Sequence, residues 1–329
     1  MCQLIYNIIK NSCAFYQDRT LSNMNNKTFN EKYSAKKGFR CGLVTLAGLP
    51  NAGKSTLLNA ILGEKIVITS HKPQTTRNAI IGIKTTDDAQ VRYVDTPGYH
   101  IGSSKLNRAM IRQAEEAILS VDLVCVLVDP AERKNSAFSA LLEKVEAGGA
   151  PAILVLTKID DRSKKAVYEA AERFSKLAPF KEIVPISAQK RINLDLLEKL
   201  IVRELPEAPP VYGKDELTTH PESFIISEFI REQAFALLNQ EVPYGILVET
   251  EKVEEANDRM NITASIIVSR DSHKGIVIGK GGVMLKEIGS RARKELEKFF
   301  GIKIRLDIWV KVKDDWASKD EYLRIQGLL

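Results

Sequence analysis

Cysteine is scarce in this chain: four among 329 residues, at Cys2, Cys13, Cys41 and Cys125. Those positions have no metal-like spacing, which argues against both a zinc module and a disulfide framework and points to a reducing compartment. Histidine is equally sparse, and His71, His100, His220 and His273 are too scattered to make a metal centre. Long apolar runs are missing as well. None reaches the roughly 20 residues of a membrane span, so any membrane contact is expected to be peripheral. The apolar start at residues 4–9 is broken by Asn7 and stopped by Lys10, and it lacks the basic flank of a signal peptide. Residues 1–37, rich in Asn, Lys and Ser, carry no motif and are expected to be a disordered extension; Met1 and Met24 both remain open as the start.

What is present is concentrated in short motifs. Residues 48–55 read Gly48-Leu49-Pro50-Asn51-Ala52-Gly53-Lys54-Ser55, a complete G-x-x-x-x-G-K-[ST], with Thr56 following. An apolar run at 41–47 precedes it and a helix-forming stretch at 55–62 follows. Glycine lets the backbone curl so that successive N–H groups point at phosphate oxygens. Lys54 is expected to reach the β/γ-phosphates and the Ser55 hydroxyl to bind Mg²⁺. There is one such loop, which excludes a tandem pair of nucleotide domains.

The base is read downstream. Asp95-Thr96-Pro97-Gly98 follows an alternating strand at 91–94; an acid there can hold Mg²⁺, and the Gly98 N–H can sense a γ-phosphate. An apolar run at 151–156 ends in Thr157-Lys158-Ile159-Asp160. The Asp160 carboxylate can accept from both guanine N1–H and the exocyclic amine, a pair that adenine lacks. Guanine-binding proteins usually carry asparagine where Thr157 stands, although Rho-like proteins carry threonine. A strand at 183–186 leads into Ser187-Ala188-Gln189, which resembles a loop whose N–H contacts guanine O6; Ser187 can equally serve as a plain helix cap. Four motifs in this order, each after a strand, predict GTP as substrate and GDP as product. An ATP-using kinase on the same loop is disfavoured by Asp160.

Catalysis is less legible. In Pro73-Gln74-Thr75-Thr76-Arg77, a threonine, Thr76 rather than Thr75, is expected to close over Mg²⁺ and the γ-phosphate. Lys54, Thr76 and Gly98 are the catalytic candidates, with Ser55, Thr76 and Asp95 as the Mg²⁺ ligands. Ras-like enzymes place a water-orienting glutamine after D-x-x-G; here that position is Tyr99, a poor base at neutral pH because a free tyrosine has a pKa of about 10. His100 is better read as solvated than catalytic. Slow intrinsic hydrolysis is therefore expected. Asn51 either shapes the loop or coordinates a potassium ion, as in related GTPases that lack the glutamine.

The second half is organised differently. Pro206, Pro209, Pro210, Gly213 and Pro221 crowd residues 205–221, a linker signature. Beyond it come a helical pattern at 222–240, strands at 246–249 and 263–269, a helix from 283 to about 300 and a strand at 303–312. Gly279-Lys280-Gly281-Gly282, preceded by Ile278, fits the G-x-x-G turn with which a KH domain clamps a single-stranded nucleic acid, RNA above all. From 270 to 313 there are 12 Lys/Arg against 5 Asp/Glu, whereas 222–259 has 3 against 9. Basic charge collects at the turn, with Lys280, Lys286 and Arg291 as RNA-binding candidates.

These motifs, together with Glu241-Val242-Pro243-Tyr244 and Trp309-Val310-Lys311-Val312-Lys313 ahead of Trp316, resemble the Era family of bacterial GTPases over residues 38–329. The resemblance implies an α/β P-loop GTPase domain, a mostly parallel sheet with helices on both faces, followed by a smaller α+β KH domain. Expected boundaries are 38–205, a linker at 206–221, and 222–329. It also implies a role in small ribosomal subunit assembly and rRNA maturation by gripping the 3′ end of the small-subunit rRNA, with peripheral association with the inner membrane; a cytoplasmic monomer is expected. A competing reading is an RNA-binding scaffold whose nucleotide pocket is regulatory, with negligible turnover.

Overall fold

The computed structural model describes residues 37–70, 72, 75–100, 104–133, 135–256 and 259–325. The extension, with Cys2, Cys13 and the choice between Met1 and Met24, lies outside the described residues, as do His71, Pro73 and Gln74.

The first half folds around a six-stranded sheet in the order β2-β3-β1-β4-β5-β6. Its strands are β1 (Arg40–Gly48), β2 (Ile80–Thr85), β3 (Ala89–Asp95), β4 (Leu123–Val128), β5 (Ala152–Leu156) and β6 (Glu182–Pro185). All pair in parallel except β2, which runs antiparallel to β3. Successive residues face opposite sides of the sheet. Val44, Leu46, Cys125 and Leu127 pack on the face covered by α1 (Lys54–Leu62) and α5 (Leu194–Glu204). Ala47, Val124 and Val126 pack on the face covered by α2 (Lys105–Leu119), α3 (Ser136–Gly148) and α4 (Lys164–Ser175). Burial on both faces explains why β1, β4 and β5 read as continuous apolar runs. Burying each Leu or Val contributes roughly 1.5–3 kcal/mol. The chain reverses direction of winding at β1, and the crevice at the strands' carboxyl ends collects the loops after β1, β3 and β5.

Residues 206–221 are not a free tether. The main chain of Ala208 donates to Phe39, Gln90 binds the main chain of Val211 and Tyr212, and Leu217 and Thr218 pair with Ile83 and Gly82 on edge strand β2. Proline prevents regular structure, but the backbone polar groups still need partners, and the sheet edge supplies them.

The second half comprises α6 (Glu222–Leu237), strands β7 (Ile246–Ala256) and β8 (Arg259–Val268), α7 (Asp271–Ile278), α8 (Val283–Phe300) and β9 (Lys303–Val312). β7 and β8 are antiparallel, and β9 joins β8 in parallel. Ile288, Ala292 and Leu296 form the buried stripe of α8 at helical spacing. β7 runs seven residues past the strand read from sequence. That extra length carries Glu251, Lys252, Glu254 and Glu255 and no apolar alternation; it is held by pairing with β8. A six-residue helix, α9 (Asp320–Ile325), closes the described chain.

Candidate functional site

The crevice holds a cavity of about 560 Å³, within the range of small-molecule sites. Lys54, Ser55, Thr76 and Gly98 line one end and Asp160, Ser187, Ala188 and Gln189 the other, so the separate motifs meet.

Steric limits set the phosphate end. A Cβ on Gly48 would lie 2.6 Å from Leu127 O, and one on Gly98 would lie 2.7 Å from Pro50 Cα. The Asp95-Thr96-Pro97-Gly98 segment thus packs directly on the phosphate loop. Thr96 fixes it by donating to Leu46 O at 2.9 Å. Gly53 is left-handed at φ 91°, immediately before α1 begins at Lys54. The N–H groups at this helix start are the ready-made anion site. Lys54 is buried and donates to Gly48 O at 3.2 Å and Leu49 O at 3.0 Å, arching over the loop. Burial pushes its ammonium down to about 8, with Asp95 opposing the shift.

Three oxygens converge beside it. Ser55 Oγ donates to Asp95 Oδ2 at 2.6 Å and lies 2.9 Å from Thr76 Oγ1, which is 3.4 Å from the same carboxylate oxygen. Asp95 Oδ1 is buried with no partner, and burial raises the carboxyl to about 6 against the pull of Lys54, Ser55 and Thr76. A buried, under-satisfied carboxylate with two hydroxyls fits a hard divalent cation such as Mg²⁺. That ion takes one or two carboxylates plus substrate phosphates in preference to an all-protein cage. Among the described residues no cluster of three His, Cys, Asp or Glu side chains could hold a metal alone.

At the other end Thr157 is buried, and its hydroxyl donates to Ala52 O at 2.9 Å with Val128 O at 3.3 Å. It staples the phosphate loop to the sheet, so the departure from asparagine keeps a donor at this point. Lys158 is left-handed (φ 55°) and pairs with Asp129 at 3.3 Å, as Arg162 does at 3.2 Å. Burial raises Asp129, but the Ala131 N–H and the two cations outweigh it and hold the carboxyl below its ordinary range. Asp129 escaped the sequence reading; its only signal is its place one residue past a buried strand. Ser187 Oγ accepts from Lys190 N at 3.1 Å, which makes it a turn cap, while its loop still reaches the cavity.

Tyr99 turns away from the phosphates. It is buried, its hydroxyl donates to Glu115 at 3.1 Å, and burial with Glu115 pushes it up to about 12. A phenol so placed is no base. His100 bonds Gly98 O through Nδ1 at 2.7 Å. Asn51 is exposed and left-handed (φ 61°), a conformation asparagine tolerates well, which supports its loop-shaping role.

In the second half, α7 ends at Ile278 and Gly279 follows at φ 72°, where a Cβ would meet Met284 Cβ at 2.7 Å. Gly281 and Gly282 also have positive φ, 63° and 81°, with open space where a Cβ would stand. Their backbone is therefore approachable, and Lys280 is exposed beside it. Val283 (69% exposed) and Ile276 (46%) add apolar surface next to the turn. Lys286 is exposed on α8. Arg291 is five residues on, about 140° round the helix, and is paired with Glu287 at 2.7 Å. The structure does not bring those two cations to one flank.

A family model described as a 50S ribosome-binding GTPase matches residues 43–158, and a KH domain model matches 241–317. GTPase Era of Trichlorobacter lovleyi is 44% identical over 291 residues, 88% of this chain and 98% of the relative. Era of a Thermoanaerobacter strain is 45% identical over 292 residues, with 88% and 97% covered. This chain belongs to the Era family of GTPases. A solved Era structure in complex with MgGDPNP and nucleotides 1506–1542 of 16S ribosomal RNA superimposes with a TM-score of 0.84 at 37% identity, covering 88% of this chain and 99% of that one. An Aquifex aeolicus Era variant bound to GDP·AlF4⁻ gives the same TM-score at 36% identity. The Era-type assembly of one G domain and one KH domain is therefore the architecture of this chain, and no described helix is long and apolar enough to cross a membrane.

Proposed function

We propose that this chain is a GTP-hydrolysing switch that grips the 3′ end of the small-subunit rRNA through its KH turn and acts in small ribosomal subunit assembly and rRNA maturation. The observation that carries the reading is the convergence of Lys54, Ser55, Thr76, Asp95 and Gly98 at one end of a cavity with Asp160 at the other. A relative that shares this architecture was crystallised with both a GTP analogue and the 3′ segment of 16S rRNA.

The chemistry follows from positions. Phosphoryl transfer needs little covalent help; positioning and charge stabilisation dominate. Loop N–H groups and Lys54 would bind and orient the β- and γ-phosphates. Ser55, Thr76 and Asp95 would hold Mg²⁺, which when bound neutralises charge across the β/γ oxygens. Gly98 would offer its N–H to the γ-phosphate, and Asp160 would select guanine. With Tyr99 pointing into the core, no side chain at its position orients water, so the unaided rate is slow and a partner is expected to raise it. Potassium at Asn51 would supply part of the missing charge; equal hydrolysis rates in potassium and sodium buffers would remove that role. The RNA-binding group is Ile278, Gly279, Lys280, Gly281 and Gly282 with Lys286. The chain acts as a monomer in this proposal, and peripheral contact with the inner membrane rests on the family resemblance alone.

The test is competition. A fluorescent GTP analogue displaced by GTP but not by ATP, together with binding of a 3′-terminal 16S rRNA oligonucleotide, is the expected pair of results. Equal displacement by ATP, or no binding of the oligonucleotide, would overturn the proposal.

A further inference from the structure

Three segments without a part in the chemistry above meet at one point: Arg77, the turn Val242–Gly245 and Trp316. Arg77 is 3% exposed although it carries a full charge. Its Nη1 donates to Ile246 O at 2.6 Å, and its Nη2 donates to Tyr244 O at 2.9 Å and Pro243 O at 3.3 Å. The Trp316 ring lies 5.9 Å from its Cζ, and the indole N–H donates to Gly245 O at 2.9 Å, holding ring and turn together. Burial lowers the Arg77 guanidinium to about 9, with Arg231 adding to the shift and Glu228 opposing it, so it stays cationic near neutrality. A buried cation needs its donors filled, and here KH-side carbonyls fill them.

The same strand of contacts continues on the other side of Thr76. Arg231 on α6, held by Glu228 at 2.6 and 2.7 Å, donates to Thr75 O at 2.6 Å. Earlier in the segment, Glu232 accepts from Thr69 N at 2.9 Å, and Lys72 donates to Phe235 O and Leu238 O at 2.7 and 2.6 Å, the carbonyls left open at the end of α6. Thr76 is thus pinned between two arginine contacts to the second domain, while its own hydroxyl sits in the Ser55–Asp95 cluster.

We propose that Arg77 and Arg231 are positioning residues through which the KH-side framework holds Thr76 closed over the γ-phosphate end of the cavity. This rests on the reading of that cavity as a GTP site closed by Thr76. Coupling of this kind is reciprocal: the factor by which docking tightens binding of a γ-phosphate nucleotide is the factor by which that nucleotide tightens docking. The contacts are divided between the two terminal nitrogens of a planar fork, and a lysine, whose three donors sit on a single nitrogen, does not reproduce that spread.

The experiment uses the full chain and compares fluorescent GDP with a non-hydrolysable fluorescent GTP analogue, both in Mg²⁺. Arg77→Ala is expected to weaken the GTP analogue about tenfold and leave GDP within twofold, which also reports that the variant is folded. Arg77→Lys should not restore binding. Adding Arg77→Ala to Thr76→Ala should weaken the analogue by less than a further twofold, because the two act as one unit. Arg77→Gln, a milder change, carries the same comparison if the alanine variant does not fold. Unchanged discrimination between the two nucleotides, equal loss for both, full rescue by lysine, or additive effects with Thr76→Ala would each overturn the proposal. A wild-type chain that does not bind the GTP analogue at all would instead overturn the reading of the cavity.

Discussion

Valine at position 157 keeps the branching and nearly the volume of threonine but removes its hydroxyl. That hydroxyl is buried and is the donor to Ala52 O at 2.9 Å, one residue before the left-handed Gly53. A neutral hydrogen bond is worth about 0.5–1.5 kcal/mol net, and leaving a buried acceptor unmatched costs about 1–3 kcal/mol. Loss of about 1–2 kcal/mol of loop order converts to roughly 5–30-fold in affinity at 1.4 kcal/mol per decade. Thr157→Val is therefore expected to weaken a fluorescent GDP analogue by that factor in Mg²⁺ buffer, with thermal unfolding followed in parallel. Thr157→Asn brings its own amide donors and is expected to restore most of the affinity. If the valine variant binds within twofold of wild type, or asparagine does no better than valine, the staple is not what orders the loop.

Asp160→Asn should weaken GTP by about 2–4 kcal/mol, roughly 30–1000-fold, while leaving ATP competition unchanged, since only guanine offers the paired donors. Lys280→Ala should weaken single-stranded RNA and reduce the slope of log affinity against log salt by about 0.7, whereas Arg291→Ala, already paired with Glu287, should leave the slope nearly unchanged; equal effects would contradict the placement of these cations. His220 stacks on Phe224 at 4.4 Å, its Nε2 lacks a partner, and burial pushes its imidazole below the ordinary value, with the backbone near Ala79 and Glu228 opposing. The unfolded chain takes up the proton more readily, so stability is lost as pH falls through about 6.5. His220→Phe should flatten that loss in urea unfolding at pH 5.5 and 7.5, and parallel curves would show that His220 does not contribute.

The phosphate loop, Asp95-Thr96-Pro97-Gly98 and the KH turn were legible because their chemistry is contiguous in the chain and needs glycine at fixed places. Strand runs β1 and β5 were legible for a different reason, since burial on both faces leaves little room for polar residues; Thr45 is the one buried polar side chain in these two strands. Arg77 was visible as part of a motif, but its partners are main-chain carbonyls at 243–246, which any residue carries. The strapping of 206–221 was hidden in the same way, because backbone bonds hold most of it, helped by scattered side chains such as Gln90 and Thr218. The outer half of β7 shows no apolar alternation, with only Val253 packed on the core, because pairing with β8 more than burial makes it a strand. Charge counting placed Lys286 and Arg291 together, and helix geometry separates them.

The most direct test of a GTP switch coupled to RNA is the GTP hydrolysis rate of the full chain in potassium buffer with Mg²⁺, with and without a single-stranded RNA copied from the 3′ end of small-subunit rRNA. A clear rise with the RNA, lost in Lys280→Ala, is the expected result. An unchanged rate while the RNA is demonstrably bound would contradict the coupling and leave two sites that share a chain without sharing a function.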